Sequence, residues 1–234
     1  MDYTFPPVPQ VVLPVVGRAA LFPVRRVYCV GQNYAAHVAE MGGDARQPPF
    51  FFSKPADALV IGGGDVHYPP MTSNLQHEVE LVVALGQGGS DIPLDEAPGC
   101  IFGYAVGFDM TRRDLQAQAK EKQQPWEMGK GLDEGGPISA IARLAASDLD
   151  ADAAIWLKVN GQLRQSGKLS QMIWNVSEII ANLSRYVRLA PGDLIFTGTP
   201  SGVSTVLPGD ALEGGVDGVG ELSIRLIAAR SRSA

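Results

Sequence analysis

Cysteine is scarce in this chain of 234 residues: Cys29 and Cys100 are all it has, and no CxxC pair occurs. A disulfide-rich scaffold and CxxC chemistry are therefore excluded, and a reduced, cytoplasmic setting is the simple expectation. Histidine is almost as scarce, with three copies, and HEVE at 77–80 is not the HExxH of a zinc protease. No Gly-x-Ser-x-Gly elbow exists, since Ser201 lies in GTPSG, and neither a Walker A loop nor a GxGxxG run after a strand is present. Long apolar runs are missing too: LVVAL at 81–85 falls far short of the roughly 20 residues that span a bilayer. The opening MDYTFPPVPQ lacks the basic region and apolar run of a signal peptide, so a soluble protein is expected. Positive charge is in deficit, with 19 Lys and Arg against 25 Asp and Glu. That argues against nucleic acid, whose affinity rests on neutralised phosphates. A small anionic substrate stays compatible, because a bound metal or a few local cations reverse the sign inside one pocket.

What the chain does have is 27 Gly and 17 Pro, a turn-rich balance that favours strands over a helical bundle. Residues 1–24 carry five prolines and read as an extended N-terminal segment; residues 25–234 read as one strand-dominated α+β domain. VRRVYCVG (24–31), PPFFFSKP (48–55), HEVELVVALG (77–86) and GYAVGFDM (103–110) are strand-like. WLKVNGQLRQ (156–165) is a hairpin with an Asn-Gly turn. Three helices are expected. One spans 33–43 with Asn33 as N-cap, and one spans 111–123 with Thr111 and Asp114 as a capping box. The third is an amphipathic helix over 170–189 that uses Met172, Ile173, Val176, Ile179, Ile180, Leu183 and Tyr186.

The carboxylates carry the chemistry. Two residues apart in a strand, Glu78 and Glu80 share a face with Val82 and Ala84. Paired acids on a face that turns apolar are costly, and a cation removes that cost. Asp109 ends a second strand, on the face of Ala105 and Gly107, whose small side chains would leave room for a ligand. Three carboxylates without a paired histidine suit a hard cation, Mg²⁺ or Mn²⁺. The spacing is equally compatible with two glutamates at a wet strand end and an aspartate capping a helix. His37 and Glu40 share a helix face, as a water-activating base and its orienter do, and as exposed pairs also do. Lys54 and Lys130 each read as a holder of a carboxylate or enolate, or as a surface charge. Arg113 and Gln116 share a face of the helix after Asp109, and TGTPSG (197–202) offers backbone N–H groups and the Thr199 hydroxyl to an anion. His67 and His77 have no such context.

Taken in order, VYCVGQNYAAHVAEMG, PFFFSKPADALV, HEVELVVALG, GYAVGFDMTRRDLQ, PWEMGKGLDEGGPIS, VNGQLRQSG and LAPGDLIFTGTPSGV resemble the fumarylacetoacetate hydrolase family, and within it the short bacterial fumarylpyruvate and acylpyruvate hydrolases. The resemblance implies a mixed β-sandwich roll with a few short helices, usually a homodimer. It implies metal binding by Glu78, Glu80 and Asp109, and water activation by His37 with Glu40 on a lid helix. Lys130 is implied to stabilise or protonate an enolate, and Lys54, Arg113, Gln116 and Thr199 to bind a small 2-oxo acid. The implied reaction is hydrolysis of an acylpyruvate carbon–carbon bond in aromatic-compound catabolism. An oxaloacetate-type decarboxylase, a keto–enol isomerase and a metal-stabilised binding domain are the alternatives. Gln32 departs from the pattern, standing where relatives often have Arg.

Overall fold

The computed structural model describes residues 2–34 and 47–230. Among the described residues, twelve strands form the two larger sheets. In chain order they are β1 (Val27–Gly31), β2 (Phe50–Lys54), β3 (Leu59–Ile61), β4 (Gly64–His67), β5 (Val79–Leu85), β6 (Ile101–Phe108), β7 (Gly136–Ile138), β8 (Ala154–Val159), β9 (Gln162–Lys168), β10 (Leu194–Phe196), β11 (Ala211–Val216) and β12 (Gly220–Ile227). The seven-stranded sheet runs β2-β1-β10-β5-β6-β7-β3, and the five-stranded sheet runs β9-β8-β11-β12-β4. Most neighbours are antiparallel; β1 with β10, β3 with β7 and β4 with β12 are parallel.

β5 lies at the centre of the larger sheet, which explains its unbroken apolar run: every residue of it is buried. Its Val79, Leu81, Val83 and Leu85 enter the larger core with Ile155 and Leu157 of β8 and Leu222 and Ile224 of β12. Val82 and Ala84, on its other face, enter a smaller core with Phe196, Val27 and Cys29. Leu13, Val15 and Phe22 cover that smaller core from the N-terminal segment, where Val12–Leu13 pairs with Phe22–Pro23. The β8–β9 hairpin turns at Asn160 and Gly161, both with positive φ (50° and 75°), as an Asn-Gly turn requires.

The helices are shorter than their sequence patterns suggest. α1 spans Arg113–Glu121, α2 Glu127–Lys130 and α3 Val176–Leu183. The expected capping box at Thr111 does not form. Thr111 pairs with Gln76 in a short strand, and the Asp114 carboxylate accepts from Thr72 Oγ1 and the Ser73 N–H instead. α3 begins only at Asn175, which caps it in a box with Glu178. The preceding residues are diverted: Ile173 N–H donates to the Asn33 carbonyl and Trp174 N–H to Asn33 Oδ1. That same carboxamide donates to the carbonyls of Trp174 and Thr197, so Asn33 ties these loops together. The rest of the helix expected over 33–43, with His37 and Glu40, lies outside the described residues.

Candidate metal centre and cleft

β5 and β6 bring the three acids together by register. Val79 pairs with Phe108 and Glu80 with Gly107, so Glu78 and Asp109 stand opposite each other, and Asp109 N–H donates to the Glu78 carbonyl at 2.8 Å. Oxygens of Glu78, Glu80 and Asp109 all lie within 4.8 Å of one another, and all three residues are buried. The room expected beside Gly107 is absent. A Cβ there would run into the Phe196 ring and Val82, so this glycine admits core rather than ligand. The space for a ligand lies at the strand ends instead, in a cleft lined by the two glutamates, Arg113, Gln116, Lys120, Trp126, Lys130, Phe52, Gln32, Gly198 and Thr199 among others.

Cations surround the acids unevenly. Lys130 Nζ lies 2.8 Å from both Glu78 Oε2 and Asp109 Oδ2. Burial opposes its charge, but Asp109 and Glu78 more than compensate, and its pKa is raised. Lys54 Nζ lies 2.8 Å from Asp109 Oδ1 and donates to the carbonyls of Met110 and Lys130. Its ammonium is thus spent on the acid and on the loop carrying Lys130. Arg113 pairs with Glu78 and donates to Gln76 Oε1 and Gln116 Oε1, each at 2.7 Å. With its oxygen engaged, Gln116 keeps its amide NH₂ for the cleft it lines.

Glu80 differs from its neighbours. It is 1% exposed, and its one hydrogen bond comes from Gly198 N–H to Oε2 at 2.7 Å; no described cation pairs with it. Burial, then the charges of Asp109 and Glu78, push its pKa well above the usual carboxylate range. Gly198 can reach Glu80 because its φ is +95°, and a Cβ would strike Asn33. An acid kept buried, unpaired and beside two others fits an all-oxygen site for a hard divalent cation. The Tyr34 hydroxyl is also buried with no partner among the described residues; burial, then the charge of Glu80, raises its pKa.

Thr199 lines the cleft, but its hydroxyl is not a free donor: it donates to the Val79 carbonyl at 2.8 Å and accepts from Gln165 Nε2 at 2.7 Å. Gln165 escaped sequence reasoning. Its Oε1 accepts from Val79 N–H and lies 2.9 Å from His77 Nδ1, while Nε2 also donates to the Pro200 carbonyl. Because a backbone N–H only donates, this fixes Oε1 as acceptor, and His77 therefore carries its proton on Nδ1. Burial lowers the His77 pKa, and Nε2 meets Ser204 Oγ at 2.9 Å. His67 instead pairs with Glu134 at 3.0 Å, away from the cleft.

The family model for the fumarylacetoacetate (FAA) hydrolase C-terminal domain matches residues 26–227. A fumarylpyruvate hydrolase of Ralstonia sp is 49% identical over 175 residues, 75% of this chain and 91% of that one. The mitochondrial oxaloacetate tautomerase FAHD1 of Rattus norvegicus is 42% identical over 208 residues, 89% of this chain and 93% of the other. The mitochondrial oxaloacetate decarboxylase of Dictyostelium discoideum is 41% identical over 197 residues, covering 83% and 90%. Among solved structures, fumarylpyruvate hydrolase from Pseudomonas aeruginosa, in complex with Mn²⁺ and pyruvate, superposes with a TM-score of 0.94 at 48% identity, covering 97% of this chain and all of that one.

Proposed function

The chain belongs to the fumarylacetoacetate hydrolase family, and we propose that it is a divalent-metal-dependent enzyme that hydrolyses the C3–C4 bond of an acylpyruvate, giving pyruvate and a carboxylic acid. One observation carries the metal half of this reading: Glu80 is buried, forms no ion pair among the described residues, and lies within 4.8 Å of Glu78 and Asp109. Those three residues would hold Mg²⁺ or Mn²⁺. A cation there supplies Lewis acidity and a template for the adjacent 2-oxo and carboxylate oxygens of the substrate. The Mn²⁺ and pyruvate held by the 48% identical Pseudomonas aeruginosa protein support both the metal and the product.

The chain's own residues do the rest. His37, oriented by Glu40, takes a proton from the water that attacks the C4 carbonyl; this role rests on their spacing and on the family resemblance. As C3–C4 breaks, its electron pair passes to a pyruvate enolate. Lys130, whose ammonium lies at the acids, stabilises that charge and supplies the proton that completes pyruvate. Arg113 and the Gln116 amide orient the substrate, and Lys54 holds Asp109 and the carbonyl of Lys130 in place. Thr199 meets the substrate through its backbone N–H, since its hydroxyl proton is engaged by Val79. The proposed setting is a cytoplasmic homodimer in the breakdown of aromatic compounds. No described helix is long and apolar enough to cross a membrane.

A second reading keeps the cleft and changes the reaction. Tautomerase and decarboxylase relatives above 40% identity favour oxaloacetate as substrate. Both readings are tested by stripping the protein with EDTA, restoring Mn²⁺ or Mg²⁺, and following an acylpyruvate by its enol absorbance and oxaloacetate by enol absorbance and CO₂. We expect acylpyruvate cleavage to vanish with EDTA and return with metal. Turnover of oxaloacetate alone would shift the assignment to the second reading, and full acylpyruvate turnover in EDTA would overturn the metal.

A further inference from the structure

The loop that runs from Lys130 to β7 meets the acid cluster at both ends. Lys130, which opens it, lies at Glu78 and Asp109. At its other end the Gly135 carbonyl accepts from the N–H of Met110, the neighbour of Asp109, at 3.0 Å. Between them the Gly135 N–H donates to the carbonyl of Leu132, which is buried in the larger core. Glu134 stands in this turn with φ +56°, a left-handed conformation that glycine adopts freely and a residue with a Cβ does not.

The carboxylate gives the strained position its use. Its Oε2 accepts from the His67 N–H at 2.7 Å and lies 3.0 Å from His67 Nδ1, while Oε1 accepts from Arg230. Partial burial opposes the charge, but the bonds from His67 and Arg230 more than compensate, and the pKa of Glu134 is lowered. His67 lies in β4 and Arg230 just beyond β12, so one carboxylate clips this loop to the edge of the five-stranded sheet. Asp109 has other holds, its N–H on the Glu78 carbonyl and Lys54 on its carboxylate. Lys130 has fewer: the four-residue α2, Lys54 on its carbonyl, and the clipped loop.

We propose that Glu134 is a positioning residue that, through its clip to His67 and Arg230, holds the Lys130 ammonium where the enolate forms. The inference rests on the reading that Lys130 meets the enolate, and Lys130→Met is its control. Oxalate, which mimics the pyruvate enolate, is titrated calorimetrically into the Mn²⁺-loaded protein, and Mn²⁺ affinity and the urea midpoint are measured beside it. Glu134→Gly, which relieves the backbone but deletes the clip, should weaken oxalate about tenfold and lower kcat for an acylpyruvate in step, with KM and Mn²⁺ affinity changed less than about threefold. Glu134→Gln keeps an acceptor for the His67 N–H and should recover most of both losses. Arg230→Gln, at a side chain 72% exposed, should weaken oxalate about threefold, and it decides alone if Glu134→Gly does not fold. Oxalate binding left intact by the loss of the clip would overturn the proposal. Oxalate affinity, Mn²⁺ affinity and urea midpoint falling together would also overturn it, by showing a clip that serves only the fold. Oxalate that fails to bind the unsubstituted protein, or binds Lys130→Met as tightly, would overturn it together with the reading of Lys130. Oxalate binding that depends on Lys130, Glu134 and Arg230, in a protein that leaves acylpyruvates intact, would uphold it and overturn the hydrolase reading alone.

Discussion

Glu80 is packed on the face of Val82 and Ala84, holds one backbone hydrogen bond and has no described ion pair, so its charge is opposed by burial and by two neighbouring carboxylates. A side chain of the same shape without the charge removes that opposition while still accepting from Gly198 N–H. Glu80→Gln is therefore expected to leave the metal-free protein as stable as before, or more stable by about 1–2 kcal/mol, in line with the cost of buried, uncompensated charge. The same change removes one of three oxygen donors, so Mn²⁺ should no longer raise the unfolding midpoint. Urea unfolding in EDTA and in excess Mn²⁺ checks both halves. A marked loss of stability in EDTA would mean that the carboxylate serves the fold rather than a ligand. Sequence spacing made the pairing of Glu78 with Glu80 legible, because strand alternation is local. It could not show which of the three acids lacks a cation, since the partners Lys54, Arg113 and Lys130 come from three separate elements.

At the scale of elements, the hairpin at Asn160–Gly161 was legible because its turn chemistry lies within two residues. α3 was legible in its apolar face but not in its start, because Asn33, more than 140 residues earlier, captures the backbone of Trp174 and leaves Asn175 to cap. Gly107 misled in a similar way: a small residue beside the acids reads as ligand space, yet Phe196 of β10 fills it. These two elements give contrasting predictions. Asn175→Ala removes a cap and should cost about 1 kcal/mol without touching Mn²⁺ affinity. Gly107→Ala overpacks the smaller core and should cost roughly 1–3 kcal/mol. It should also weaken Mn²⁺ binding several-fold, because Asp109 directly follows the strand it displaces. Parallel urea midpoints and Mn²⁺ titrations separate the two; equal Mn²⁺ affinity in both variants would show that β6 tolerates the added methyl without moving Asp109.

Across the whole molecule, the centre sits where the two sheets meet, and Gln165 joins them. It projects from β9 of the five-stranded sheet and is fully buried. There it accepts from Val79 N–H and His77 Nδ1 and donates to Thr199 Oγ1 and the Pro200 carbonyl. All of its hydrogen-bonding capacity is used, and its partners belong to the start of β5 and to the turn that holds Glu80 through Gly198. Nothing local in QLRQSG announces this, since one glutamine in a polar strand reads as solvated until the other sheet is placed over it. Gln165→Met keeps the volume and strands several buried polar groups at once, which predicts a loss of about 2–4 kcal/mol in urea unfolding. Gln165→Glu restores the acceptor to Val79 and His77 but not the donors, so Thr199 must turn its hydroxyl toward the new carboxylate and release Val79. If the turn is a positioning element, Gln165→Glu raises KM for the acylpyruvate by about tenfold or more, since Thr199 lines the cleft, while a cation held by Glu78, Glu80 and Asp109 binds nearly as before. A variant that lost Mn²⁺ affinity and substrate affinity in equal measure would show instead that Gln165 supports the fold as a whole, with no separate hold on the turn.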